Sequence, residues 1–198
     1  MVEELSLRPW VFKNGKFIQT AARTGWEEID FKKPLGKLWL VRTRHSEVAT
    51  LPLSFRQKGL RDCDFKVSFD RGFVRELMKS LQNGWTVRRL SELQAERAHP
   101  NDYEIARVVI TGREHSARTR SSMTIDCHAR ARPEWQATAG DVDTACPLSI
   151  VAQMLATGRI RQLGVLPPEI GVPADPFLRE LEKRGMKWMI SRSLVPAG

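Results

Sequence analysis

Residues 118–132 read Arg-Thr-Arg-Ser-Ser-Met-Thr-Ile-Asp-Cys-His-Ala-Arg-Ala-Arg. From residue 122 on, polar side chains fall at even positions, and Met123, Ile125, Cys127 and Ala129 fall at odd ones. Side chains in a strand project alternately to opposite faces. So long a period of two therefore predicts a strand with one face on a core and one face in water, which is the habit of an antiparallel sheet. The rest of the chain must supply partner strands and a layer to cover the apolar face.

Partner strands are legible elsewhere. Asn14-Gly15 separates residues 10–13 from 16–20, and Asn-Gly between apolar runs is a strong hairpin signal because a type I′ turn needs two positive φ angles. Residues 26–31, 37–44, 62–69, 103–111 and 186–191 are rich in β-formers, with a turn at Pro34-Leu-Gly36. Asp70 predicts the N-cap of a helix reaching about Asn83, with Phe73, Val74, Leu77, Met78 and Leu81 as its apolar stripe and Gly84 as its stop. A second short helix is predicted over 87–97. Residues around Pro52 and residues 133–146 read as loops. Pro147 is expected to open a largely buried helix, and Asp175-Pro176 to open the last one, which Gly185 ends. Strands, a helix, a long antiparallel pair and two further helices make an α+β fold, with a mixed, largely antiparallel sheet and helices on one face.

At 198 residues the chain fits one domain spanning 1–198. No window approaches the roughly 18 apolar residues of a membrane span, and the acidic N-terminus has no apolar signal region. Cys63, Cys127 and Cys146 are too dispersed for a C-x-x-C site, and an odd, sparse count points to reduced thiols and a cytoplasmic protein. No metal site is expected. The net charge of +9 raises two alternatives, a nucleic-acid surface or a protein handling acidic small molecules. The basic residues are scattered along the whole chain, which favours the second, so neither a nucleic acid nor a membrane is expected as a partner.

The sequence lacks G-x-G-x-x-G, the P-loop, H-E-x-x-H and G-x-S-x-G. What remains are partial arrangements, each with an ordinary structural alternative. His45 and Glu47 share a face if the preceding strand continues; a carboxylate beside an imidazole fixes its tautomer and suits acid–base work, whereas strand ends also carry plain solvated charges. Arg42 and Arg44, just upstream, are candidates to clamp a substrate carboxylate. Asp141, Asp143 and Thr144 precede the expected helix at Pro147, where free N–H groups attract a carboxylate or need capping. Cys146 at that helix start reads as structural rather than reactive, for want of a base in sequence. Cys127 and His128 point to opposite faces of their strand, giving a buried thiol and an exposed imidazole rather than a catalytic pair.

Residues 145–169 resemble the C-terminal domain of saccharopine dehydrogenase-like oxidoreductases. The resemblance is carried by Pro147, Gly158-Arg-Ile160, Gly164-Val165, Pro168-Glu169 and, later, Arg184-Gly185. More weakly, it is carried by Asn14-Gly-Lys16, the turn at Pro34 and Gly36, His45-Ser-Glu47 and Thr50-Leu-Pro52, so that it spans roughly residues 10–190. Thr144-Ala145 stands where the family has Thr-Gly, and Cys146 where it has an aromatic. The resemblance implies a bipartite enzyme of amino-acid metabolism, with members acting on saccharopine, lysine or carboxynorspermidine. An N-terminal Rossmann domain would bind NAD or NADP. The present domain, similar to the second domain of homoserine dehydrogenase, would cover a carboxylate-bearing imine or secondary amine and form a homodimer. On that basis Arg42, Arg44 and Thr144 are expected to bind substrate, and His45 and Glu47 to move a proton. The alternative is a non-enzymatic dimerisation or ligand-binding module.

Overall fold

The structure, a computed structural model, describes residues 2–86, 88–89, 102–113 and 119–195. The fold is α+β, and every described strand pair is antiparallel. The chain divides into two compact units, residues 1–97 and 98–198.

In the first unit, α1 (Val2–Ser6) precedes a hairpin of β1 (Trp10–Lys13) and β2 (Lys16–Gln19). Asn14 and Gly15 both have positive φ, 51° and 77°, as the Asn-Gly signal requires. A three-stranded sheet follows in the order β3 (Glu27–Asp30), β4 (Lys37–Arg42), β5 (Lys66–Ser68). The helix α3 (Arg71–Gln82) begins where Asp70 predicts it, with the Asp70 carboxylate accepting from the Phe73 N–H at 2.7 Å. Val74 and Leu77 from its stripe close a core with Leu5 and Val41, and Trp26, Phe69, Met78 and Leu81 pack around it.

One helix in this unit departs from expectation. The segment around Pro52 is not a loop but α2 (Glu47–Phe55). Proline has no N–H, so the Val48 carbonyl lacks its donor four residues on. Yet Val48 and Pro52 share one face and are both buried, and α2 packs against β1. Tertiary burial therefore outweighs the local cost.

In the second unit, β6 (Tyr103–Gly112), β7 (Ser121–Arg130) and β8 (Lys187–Leu194) form one sheet with β7 in the middle. The strand is borne out, and Cys127 and Ala129 of β7 face a core of Val142, Cys146, Ile150, Met154, Leu181 and Met186, but Met123 and Ile125 are not in that core and both faces are half-buried from Ser121 to His128. The covering helices are α4 (Ala139–Ala156) and α6 (Ala174–Lys183), with the single turn α5 (Pro168–Gly171) between them. The helix predicted over 87–97 lies outside the described residues, apart from Arg88 and Arg89.

Two helix starts are corrected. Helix α4 begins eight residues before Pro147, after Thr138. The Thr138 hydroxyl accepts from the Asp141 N–H at 3.1 Å, while the Thr138 N–H donates to the Asp141 carboxylate at 2.8 Å. This reciprocal cap satisfies two donors and fixes the start. Pro147 therefore lies inside α4, and residues 139–146 of the expected loop over 133–146 form its first two turns. The helix α6 begins at Ala174 after Pro173, which puts Asp175 in the first turn rather than at the cap.

The C-terminal turn of α6 is tied by charge. Glu180 accepts from Lys183 and Arg184, each at 2.8 Å, and these bonds hold its carboxyl down at about 2. Arg184 also donates to the Gln153 side chain of α4 at 3.0 Å.

Two outcomes are expected. Ile150→Ala, which empties a site 1% exposed, lowers unfolding free energy by about 2–5 kcal/mol in urea titration. Because the folded pKa of Glu180 is depressed, its contribution to stability is complete above its ordinary value of 4.5 and is lost as pH falls toward 2. Lys183→Met with Arg184→Met raises the Glu180 pKa back toward its ordinary value, read by NMR titration, and removes this contribution, so the variant loses stability at neutral pH and shows less acid dependence between 4.5 and 2.

Candidate functional site

The first unit holds an open groove of about 850 Å³, within the range of small-molecule sites. Glu4 and Leu7 come from α1 and the turn after it, Trp10 from β1, Phe17 from β2, Arg44, His45 and Ser46 from the loop after β4, and Ala49 and Leu53 from α2. Ala49 and Leu53 lie four residues apart on one helix face. Leu7, Trp10, Phe17 and Leu53 are all exposed, Leu53 to 68%.

His45 is the best-anchored polar group at this groove. The Thr43 N–H donates to the Phe65 carbonyl at 3.1 Å, which holds the chain leaving β4 against the segment entering β5. Phe65 then stacks on the His45 ring, with centroids 3.8 Å apart and planes 11° apart. The imidazole edges meet two carboxylates: Nε2 lies 3.1 Å from Glu4 Oε1 and Nδ1 lies 3.3 Å from Glu47 Oε2. The Ser46 hydroxyl also donates to Glu47 Oε2, at 3.2 Å. Stacking fixes the ring plane, and the carboxylates fix its rotation.

His45 and Glu47 are thus brought together, though for a different reason than an extended strand. The strand β4 ends at Arg42; His45 sits in a loop, and Glu47 is the first residue of α2. Glu47 is not a wall of the groove, whereas Glu4 is. The order is therefore Glu47, His45, Glu4, running toward the groove.

Arg44 lies in the groove wall, exposed, with no hydrogen bond or ion pair among the described residues. Arg42 does not join it. Its Nε donates to Asp64 at 2.9 Å, and its side chain lies so close over Gly25 that a Cβ there would be 2.8 Å from the guanidine. Lys66 completes the cluster, 3.7 Å from Asp64 and 2.7 Å from Glu27. Arg42 is thus paired with Asp64 on the segment entering β5 and does not line the groove. Thr144 belongs to the second unit and is exposed at the sixth residue of α4, beyond the first turn whose N–H groups are free. Its expected role as a loop residue at a helix start does not hold.

Glu4, Phe65 and the apolar walls escape sequence reading. Glu4 is 41 residues from His45, and its helix is five residues long, too short for periodicity to show. Phe65 reads only as an alternating strand position.

In the second unit, His128 is less exposed than expected. The Tyr103 hydroxyl lies 2.5 Å from its Nδ1, and its Nε2 is buried without a partner among the described residues. Beside it, Arg107 donates twice to Asp126, at 2.7 Å each. Cys127 points to the opposite face, and burial, then the nearby Asp143 carboxylate, pushes its thiol up to about 11. Cys146 is buried in the core. Among the described residues no three His, Cys, Asp or Glu side chains gather as a metal site, and no helix is long and apolar enough to cross a membrane.

The four longer helices start after Ser46, Asp70, Thr138 and Pro173 rather than after glycine-rich turns.

The chain matches no protein-family model. The groove around His45 is therefore judged on its own geometry. Its contents are one uncommitted cation, one imidazole held between two acids, and an apolar wall.

The thiols allow a direct check. Iodoacetamide labelling read by mass spectrometry leaves Cys127 almost unmodified at pH 7, because only about one part in ten thousand is thiolate when the pKa is near 11. Its labelling rate rises about tenfold per pH unit above 7 and levels off as pH passes that value. Rapid labelling of the folded protein at pH 7 contradicts the burial described.

Proposed function

We propose that this chain is the substrate-binding part of a two-part oxidoreductase similar to the saccharopine dehydrogenase-like enzymes. In this reading it is cytoplasmic and dimeric, and it acts on an amino-acid-derived imine or secondary amine bearing a carboxylate. NAD or NADP is held by a separate Rossmann domain. The antiparallel, helix-covered layout is compatible with a domain like the second one of homoserine dehydrogenase. The motifs at Gly158, Gly164, Pro168 and Gly185 support the same assignment.

The observation that carries the proposal is the line of Glu47, His45 and Glu4 ending in the groove wall. Interconverting an amine and an imine moves a proton at nitrogen. Glu4 and His45 both line the groove and are the members of this line that meet a ligand. His45 passes charge between the two carboxylates, and Glu47 positions the ring. Arg44 supplies the charge-assisted bonds that hold a substrate carboxylate.

One observation favours a second reading, a non-enzymatic ligand-binding or dimerisation module. Both ring nitrogens of His45 already face carboxylates, so the ring also serves as a strut tying α1 to the loop before α2.

The two readings part under mutation. In the enzyme assembled with its cofactor half, His45→Ala lowers turnover by about 10²–10⁴-fold, the usual worth of a positioned acid–base group. Glu47→Ala lowers it less. Wild-type turnover in both variants removes the proton-transfer role and leaves a binding module. Stoichiometric NADH uptake by the isolated chain, measured calorimetrically, contradicts the proposed division of labour.

A further inference from the structure

The sheet of the second unit is longer than the helix layer that covers it. On its helix-facing side, Ala129 and Cys127 meet the α4 residues of the core. The next two rows on that side are Val108, Ile125 and Ile190, then Ile110, Met123 and Arg192, with Leu194 beyond them on β8. None of these side chains belongs to the core under α4. Val108, Ile110, Ile190 and Leu194 are half exposed or more, and Met123 and Ile125 are half-buried.

The opposite face of the same stretch carries Thr111, Ser122, Thr124, Ser191 and Ser193, with Val109 the one aliphatic side chain among them. One apolar and one hydroxyl-bearing face is the pattern of a sheet covered on one side. A three-stranded ribbon is stabilised by what packs on its apolar face. Here that face extends past α4, and the aliphatic side chains on it gain nothing until something covers them.

Charge and shape select the cover. The chain carries a net charge of +9, so two copies repel unless they meet through a face with little charge. Arg192 is the one charged residue in the bare rows. The face is also stepped: α4 stands on the sheet at one end, and the apolar rows lie bare at the other. A twofold axis running across the strands lays bare rows on bare rows, at the roughly 10 Å spacing of packed sheets, and carries each copy's α4 past the free end of the other's strands. Three strands of about five residues, stacked on their twofold mates, bury roughly 1,000 Å² in all, the area at which a stable interface begins.

We infer that the bare apolar end of the β6–β7–β8 sheet is the contact between two copies of this chain, packed sheet on sheet. This gives the dimer of the reading above its surface, and it rests neither on the groove nor on the oxidoreductase assignment.

The test is sedimentation equilibrium of the full chain, whose monomer is 22.6 kDa. Twice that mass is expected at micromolar concentration. Added salt is expected to tighten the dimer, because it screens the repulsion between like-charged copies. Ile110→Lys and Ile190→Lys, each at a position half exposed in the single chain, are each expected to raise the dimer Kd at least about a hundredfold, because the contact then encloses like charges. Leu148→Lys with Leu155→Lys, on the exposed outer side of α4, is expected to leave the mass unchanged. A second measurement needs no substitution. In an equal mixture of isotope-labelled and unlabelled chains, isotope-filtered NMR is expected to show methyl contacts between copies from Ile125 and Ile190. A chain that stays monomeric overturns the contact and leaves this face to a different protein. A dimer split by the α4 pair but not by Ile110→Lys or Ile190→Lys, or methyl contacts between copies confined to Leu148 and Leu155, overturns it as well. None of these results touches the turnover expected of His45→Ala, so the contact and the oxidoreductase reading fail separately.

Discussion

Burial of the odd-numbered side chains of β7 beneath α4 is the constraint on which the second half of the chain depends. Cys127 and Ala129 can leave water only if a helix lies across the sheet, and Val142, Cys146, Ile150 and Met154 supply that helix face. Once α4 is in place, α6 packs beside it through Leu181, and Met186 leads directly into β8 on the far side of β7. The opposite face of β7 is then free to carry polar pairs, and it does so through Arg107 with Asp126 and Tyr103 with His128. One alternating segment thus decides which face is dry, where the helices lie and where the charges go.

The first half uses charge differently. Around Asp64, ions hold strands together: Arg42 and Lys66 neutralise it on adjoining strands. Around His45, the ions restrain one ring, and the neighbouring cation is left uncommitted. Two arginines two positions apart therefore have opposite fates. Arg42 still belongs to β4 and is drawn into the sheet's ion cluster. Arg44 comes after the strand has ended and enters the groove.

The elements legible in the sequence are those whose signal is local. Asn14-Gly15 announces its turn, Asp70 its cap and Gly185 its stop, because each depends on the conformation of one or two residues. The alternation of β7 is equally plain, since a period of two cannot be satisfied by a helix. Two prolines misled. Pro147 suits the first position of a helix, but the reciprocal Thr138–Asp141 cap starts the helix earlier. Pro52 argued for a loop, and only its burial with Val48 explains the helix. The site was half legible. His45, Glu47 and Arg44 lie close in sequence, whereas Glu4, Trp10, Phe17 and Phe65 meet them only through tertiary structure that no local pattern encodes.

Pro147 also gives α4 a seam. The Asp143 carbonyl lacks a donor four residues on, so the hydrogen-bond ladder of the helix is interrupted between its capped opening turns and the longer run that follows. The neighbouring ladder bonds still cross it, and side-chain packing through Val142 and Cys146 on one side and Ile150 and Met154 on the other reinforces them. The helix is thus tied more to the core beneath it than to its own ladder at that turn.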